Sequence, residues 1–182
     1  MTLESSQRAA DTIAYIALGS NLGDRERTLR SAIAALRQLG SVDAVSSFYE
    51  TAPVGLVEQP DFLNSVVTLQ TALPPQELMA ALLRIEQQHG RDRNVSVPKG
   101  PRTLDLDLLS YGDVAMETPA LTLPHPSMAE RRFVLAPLTE IAPQWRHPIS
   151  GKSAATLLLE LSRRDGESSQ NIRKLQSSTP SA

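Results

Sequence analysis

Gly100-Pro101-Arg102-Thr103-Leu104-Asp105-Leu106-Asp107-Leu108-Leu109 is the stretch on which the fold turns. Leu104, Leu106 and Leu108 alternate with Asp105 and Asp107, the period of two that marks a strand with one buried face. On a strand, residues i and i+2 point the same way, roughly 6.5–7 Å apart at Cα. The two carboxylates therefore project side by side while the leucines anchor the opposite face in a core. Adjacent carboxylates repel and lose hydration unless positive charge sits between them. Mg²⁺ takes carboxylate oxygens together with phosphate oxygens, and a pair of such ions about 3.5–4 Å apart can be bridged by two carboxylates. Arg102 is placed to meet a phosphate from the same side. Taken alone, these ten residues fit equally well an edge strand with a solvated acidic face.

The segment just upstream shifts that balance. Between residues 84 and 102, Arg84, Arg91, Arg93, Lys99 and Arg102 stand against Glu86 and Asp92. Phosphoryl chemistry needs this combination of guanidinium forks beside carboxylates that hold a divalent metal. Downstream, Leu121-Thr122-Leu123-Pro124-His125-Pro126 is extended and proline-locked, which gives His125 a rigid backbone. Phe62 and Phe133 flank loops, and as a pair they could sandwich a flat heterocycle. Asn64 carries both donors and an acceptor for the polar edge of such a ring. Each of these residues taken singly is as readily structural.

Working outward, Ile13 to Leu18 is an apolar strand that leaves through Gly19-Ser20-Asn21. Asp24 caps a helix carrying Leu29, Ile33, Leu36 and Leu39. Val42 to Glu50 reads as a second strand, and Leu63 to Thr71 as a third, joined by a long Pro/Gly-punctuated loop. Pro74-Pro75 opens a helix over 75–88 with Leu78, Leu82, Leu83 and Ile85 as its stripe. Residues 91–101 form a basic loop before the Asp105/Asp107 strand. Two further helices fit about 133–141 and 153–163. The order β-α-β-β-α-β, followed by helices, predicts an α+β, ferredoxin-like fold: an antiparallel sheet with both core helices on one face. Residues 13–164 form one domain, between polar tails 1–12 and 165–182 expected to be disordered.

Composition excludes several classes. The 182 residues carry a formal net charge of −2, 4% aromatics and no cysteine. Nucleic-acid and anionic-membrane partners have no electrostatic case, and neither disulfides nor thiolate metal sites are possible. No apolar run approaches the roughly 20 residues of a membrane span. Neither a P-loop nor the protein-kinase motif set is present. A monomeric cytoplasmic protein is the expectation.

Taken in order, Ala17-Leu18-Gly19-Ser20-Asn21-Leu22-Gly23, Ser46-Ser47-Phe48-Tyr49-Glu50-Thr51, Gln59-Pro60-Asp61-Phe62-Leu63-Asn64, Gly90-Arg91, Gly100 to Asp107, and Leu123-Pro124-His125 resemble one family: 6-hydroxymethyl-7,8-dihydropterin pyrophosphokinase. The resemblance runs from about Ile13 to Leu161. It implies transfer of pyrophosphate from ATP to the pterin hydroxymethyl group, with AMP released. It implies two Mg²⁺ ions held by Asp105 and Asp107, and ATP as co-substrate. Arg91, Arg93 and Arg102 match arginines that grip or close over the ATP phosphates. Glu86, Thr122, His125 and Arg131 match ATP-contacting positions. Phe62 and Phe133 match the rings that stack on the pterin, Asn64 its edge reader, and Thr51, Ala52 and Val54 the loop lining its pocket. Four departures from the family pattern stand out: Lys99 and Pro98 before Gly-Pro-Arg, a longer Asn94–Lys99 segment, and Pro126 after the histidine. A non-catalytic ferredoxin-like module that binds a nucleotide or pterin is the competing reading. An RNA-binding sheet of the same topology is opposed by the charge and the few aromatics.

Overall fold

The computed structural model describes residues 11–53, 58–91, 100–165 and 172–175. Val54, Arg93 and residues 92–99 of the basic loop, with its Pro98 and Lys99 departures, lie outside them.

A six-stranded antiparallel sheet forms the centre. Its strands are β1 (Thr12–Ser20), β2 (Ser41–Val45), β3 (Tyr49–Thr51), β4 (Phe62–Thr71), β5 (Asp105–Tyr111) and a C-terminal strand. β1 lies between β5 and β4, and both β2 and β3 pair with the far edge of β4. Two short strands, β6 (Met116–Glu117) and β7 (Thr122–Leu123), make a separate ribbon. The last sheet strand, β8 (Ile172–Lys174), pairs with β3. The tail expected to be disordered from 165 onward therefore contains an ordered edge strand. At the other end, Thr12 already pairs with Thr71.

The predicted strand Val42–Glu50 is two strands. Ser46 interrupts it: its hydroxyl accepts from the Val66 amide at 2.9 Å, where a regular ladder would offer a backbone carbonyl. Register shows the consequence, since Val45 faces Val67 while Tyr49 faces Asn64, four steps on one strand against three on the other. A serine hydroxyl competing with the ladder is a known source of such breaks.

Helices cover both sheet faces. α1 (Arg25–Leu36) begins at Asp24, whose side chain accepts from the Arg27 amide at 3.0 Å. α2 (Pro75–Gln88) starts on proline, where the missing donor costs nothing. Leu29, Ile33 and Leu36 of α1 and Leu78, Leu82 and Ile85 of α2 pack with Ile16, Leu18, Leu69, Leu104, Leu106 and Leu108 in one buried core. α3 (Arg132–Ile141) lies on the opposite face, where Val134 and Leu138 meet Val66 and Leu109. α4 (Ala154–Asp165) backs α3 through Leu157 and Leu161 against Leu135. Ser153 caps α4 by accepting from the Thr156 amide at 3.1 Å. α3 covers only part of its face, so the end of the sheet carrying Gly19, Asn64 and Asp105 stays open.

The C-terminal strand is tied to β3 by charge as well as by backbone. Glu50 accepts from Arg173 and, at 2.8 Å, from Arg25. The Arg173 hydrogen bond, then that of Arg25, holds the Glu50 carboxyl below the usual carboxylate range, against the smaller effect of burial. A depressed pKa stabilises the fold above the ordinary carboxylate value of about 4.3, and that contribution is lost as pH falls through the lower folded value. Glu50→Gln is accordingly expected to lower Tm by about 2–4 °C at neutral pH. The gap to wild type should close in paired thermal melts as pH falls through the lowered Glu50 value; a gap independent of pH would contradict this.

Candidate functional site

A cleft of about 470 Å³ opens on the uncovered end of the sheet. Its floor comes from register. Gly19 pairs with Asn64 on one side and Asp105 on the other, and Ala17 pairs with Asp107. Partnered residues project to the same face, so Gly19 separates Asn64 from Asp105, and Ala17 separates Asp107 from Val66. A Cβ on Gly19 would lie 3.2 Å from Asn64 Oδ1 and 3.9 Å from Asp105 Cβ. The glycine thus leaves space where substrate would lie.

Three guanidinium groups converge on the two carboxylates. Arg91 Nη1 contacts Asp105 Oδ1, and Arg102 Nη1 reaches Asp105 Oδ2 at 3.0 Å. Arg131 Nη1 stands 3.4 Å from Asp107 Oδ2. Glu86 completes the set from beneath. Its carboxylate is 1% exposed and accepts from the Leu106 amide and from Arg91, each at 2.8 Å. Among the described residues, three arginines thus face these three carboxylates, which leaves that group near neutrality. Burial, then the neighbouring charge of Asp105, raises the Asp107 pKa, and His125, Arg131 and Arg102 offset this only in part.

His125 is fixed by its backbone, whose amide donates to Leu109 O at 2.8 Å. Its Nδ1 accepts from the Ser127 amide at 3.2 Å, which leaves the ring proton on Nε2. Burial lowers its pKa, against the pull of Asp107, so the ring is a neutral donor at the cleft wall.

Phe62, Asn64, Thr51, Ala52 and Phe133 line the other end of the cleft. Asn64 Nδ2 donates to Thr51 Oγ1 at 2.8 Å, which sets the amide's orientation. Arg102 lies over the Phe62 ring at 5.2 Å and Arg131 over that of Phe133 at 5.8 Å. The two arginines that meet the carboxylates therefore also brace the two aromatic walls.

Of the residues the sequence singled out, Arg91, Arg102, Asp105, Asp107, His125, Arg131, Thr51, Ala52, Phe62, Asn64 and Phe133 share one cleft. Glu86 does not line it and acts through Arg91 and Leu106. Thr122 lies on the β6–β7 ribbon and is not part of the cleft wall either. The expectations for Arg93 and Val54 fall outside the described residues.

Sequence reasoning missed five lining residues, Ala17, Leu18, Gly19, Ser127 and Glu130, and one organiser. Asn21, 1% exposed, donates to Gln59 Oε1 and Pro60 O, each at 3.0 Å, while its Oδ1 accepts from the Arg102 amide at 2.8 Å. It ties the loop before Phe62 to Arg102, in the turn before the Asp pair. The Gly-Ser-Asn turn was the available signal, but a turn motif does not say what its asparagine reaches.

The donor set suits a hard divalent cation. Among the described residues, no group of three or more His, Asp and Glu converges as a metal site. Asp105 and Asp107 would supply two protein ligands and leave the rest to phosphate and water, the usual habit of Mg²⁺. Among the described residues, a near-neutral cluster cannot by itself neutralise a triphosphate, and a bound divalent cation would add the positive charge such a substrate needs.

Comparison with known proteins points the same way. The family model for 7,8-dihydro-6-hydroxymethylpterin-pyrophosphokinase (HPPK) matches residues 15–143. The 2-amino-4-hydroxy-6-hydroxymethyldihydropteridine pyrophosphokinase of Bacillus subtilis is 52% identical over 136 residues, 74% of this chain and 80% of that one. The protein of the same name from Synechocystis sp. is 46% identical over 147 residues, 80% and 74% of the two chains. Among solved structures, Plasmodium falciparum HPPK-DHPS A437G superposes with a TM-score of 0.68 at 14% identity, over 91% of this chain. This chain spans 48% of that longer protein, and at such identity the likeness is one of fold. By sequence, the chain belongs to the 7,8-dihydro-6-hydroxymethylpterin-pyrophosphokinase family, ATP-dependent diphosphokinases of folate biosynthesis.

Proposed function

We propose that this chain transfers pyrophosphate from ATP to the hydroxymethyl group of 6-hydroxymethyl-7,8-dihydropterin. The substrate oxygen forms a bond to the β-phosphorus, the bond from that phosphorus to the α-phosphate oxygen breaks, AMP leaves, and the hydroxyl proton is released. The observation that carries this reading is the layout of the cleft. The Asp105/Asp107 pair and its arginines form one end, and Phe62, Asn64 and Phe133 the other.

Asp105 and Asp107 would hold two Mg²⁺ ions. Bound there, the metal would neutralise phosphate charge and ease loss of the hydroxyl proton. Arg91, Arg102 and Arg131 stand where phosphate oxygens would replace carboxylate as their partners, and Arg93 joins them by resemblance. His125, neutral with its proton on Nε2, would donate to a phosphate oxygen without adding charge. Phe62 and Phe133 would stack on the two faces of the pterin, with Asn64 and the Thr51–Val54 loop at its edge. Catalysis on this reading is positioning and charge stabilisation, with no covalent step for the protein. The strand order supports describing the core as ferredoxin-like, with a split βαβ unit. A monomer in the cytoplasm remains the expectation.

Product analysis tests the reaction. With Mg-ATP and the hydroxymethyl dihydropterin, AMP is expected to form in step with pterin pyrophosphate; ADP as the product would overturn it, and ligand binding without AMP would favour the non-catalytic module. Asp105→Asn and Asp107→Asn should each reduce kcat/KM by on the order of 10²–10³-fold. Asp107→Asn should do so without lowering Tm, because burial disfavours the charge it removes. Near-wild-type turnover in both variants would refute the metal-holding role. Phe62→Ala is expected to raise KM for the pterin about tenfold with KM for ATP little changed, read by steady-state kinetics.

A further inference from the structure

The C-terminal strand β8 belongs to neither end of the cleft, yet its side chains lead to one of them. Arg173 contacts Glu50, Glu50 Oε1 accepts from Arg25 Nη2 at 2.8 Å, and Arg25 Nη1 donates to Asp61 O at 2.7 Å. Asp61 is the residue before Phe62. Glu50 precedes Thr51, which pairs with Phe62 across the ladder and with Ile172 of β8. Thr51 in turn holds the Asn64 amide. A second tie fastens the same strand pair to α3. Glu140 accepts from Tyr49 OH at 2.7 Å, Ser47 Oγ at 2.8 Å and Lys174 Nζ at 3.1 Å. The Leu175 amide closes the arrangement by donating to Phe48 O at 2.8 Å.

None of these contacts involves Asp105, Asp107, Arg91, His125 or Arg131. Those residues lie around β5, at the opposite edge of the sheet, with β1 and β4 between. Without β8, the three-residue strand β3 would be a sheet edge with few ladder bonds of its own to fix its position. Pairing on its outer edge and an ion pair at its centre supply what it lacks.

We propose that residues 172–175 are a positioning clasp for the flat-heterocycle end of the cleft, acting through Arg173, Glu50 and Arg25 on Phe62, Thr51 and Asn64. The clasp sets affinity for the pterin far more than for the nucleotide, whose carboxylates it does not contact. This rests on the pyrophosphokinase reading for the identity of the heterocycle. Arg173 is a positioning residue, and its side chain, 73% exposed, can be replaced without burying or exposing core.

The test compares wild type, Arg173→Ala and Arg173→Lys as full chains. AMP formation is measured against each substrate separately, and the pterin Kd is measured by calorimetry in parallel. Arg173→Ala is expected to raise KM and Kd for the pterin about fivefold, as far as an exposed ion pair within a network can. KM for ATP and kcat should stay within about twofold, and Arg173→Lys should restore most of the loss, because a lysine still pairs with Glu50. Unchanged pterin affinity, or an equal rise in both KM values, would overturn the clasp, including the case where only Tm falls. If wild type makes no AMP, the proposed reaction fails, while the ratio of pterin Kd values between wild type and Arg173→Ala still decides the clasp.

Discussion

Two like charges held side by side on one strand face are the constraint to which the rest of the structure answers. Asp105 and Asp107 cannot move apart, because Leu104, Leu106 and Leu108 on the other side are buried at 0–2% exposure in the core under α1 and α2. Their repulsion has to be met by cations brought from elsewhere. The chain brings three arginines from three different segments: Arg91 from the end of α2, Arg102 from the turn before β5, and Arg131 from the start of α3. Each arrives in a fixed direction. Glu86 and Leu104 O hold Arg91, Asn21 holds the Arg102 backbone, and Phe133 lies under Arg131.

The same constraint links the two ends of the cleft. Arg102 and Arg131 each touch a carboxylate with the guanidinium edge and an aromatic ring with its face. Arginine is suited to both at once because its cation is planar. The spacing between the carboxylate pair and the two phenylalanine rings is therefore held by two side chains rather than by loop length. Gly19 permits this closeness, because any side chain between Asn64 and Asp105 would occupy the gap.

Much of the fold was legible in the chain. α2 spans 75–88 as its leucine stripe and proline start dictate, and β4 and β5 follow their β-branched and alternating patterns. The break at Ser46 was not legible, since Val42–Glu50 is apolar enough for one strand and only the Val66 amide opposite makes the hydroxyl disruptive. Nor was β8. Ile172-Arg173-Lys174 is short and sits in a polar, serine-rich tail, and its strand character comes from the open edge of β3 and the carboxylates of Glu50 and Glu140. For the site, residue types and motif order pointed to the carboxylates, the arginines and the rings. Glu86 shows where that reasoning stops: an acidic residue in a basic stretch reads as a surface ligand, and only its burial reveals it as a support for Arg91.

The sequence by itself determined the chemistry available: paired carboxylates on a period-two strand, guanidinium groups just upstream, a proline-flanked histidine and two phenylalanines flanking loops. Local periodicity and residue type carry such information because they act within a few residues. The tertiary structure alone decided which groups meet. Ladder register put Gly19 between Asn64 and Asp105, the partial cover of α3 left that end of the sheet open, and a strand from the far C-terminus came to rest against β3. These are contacts between residues tens of positions apart, and no local pattern encodes a partner that only the assembled sheet brings within reach.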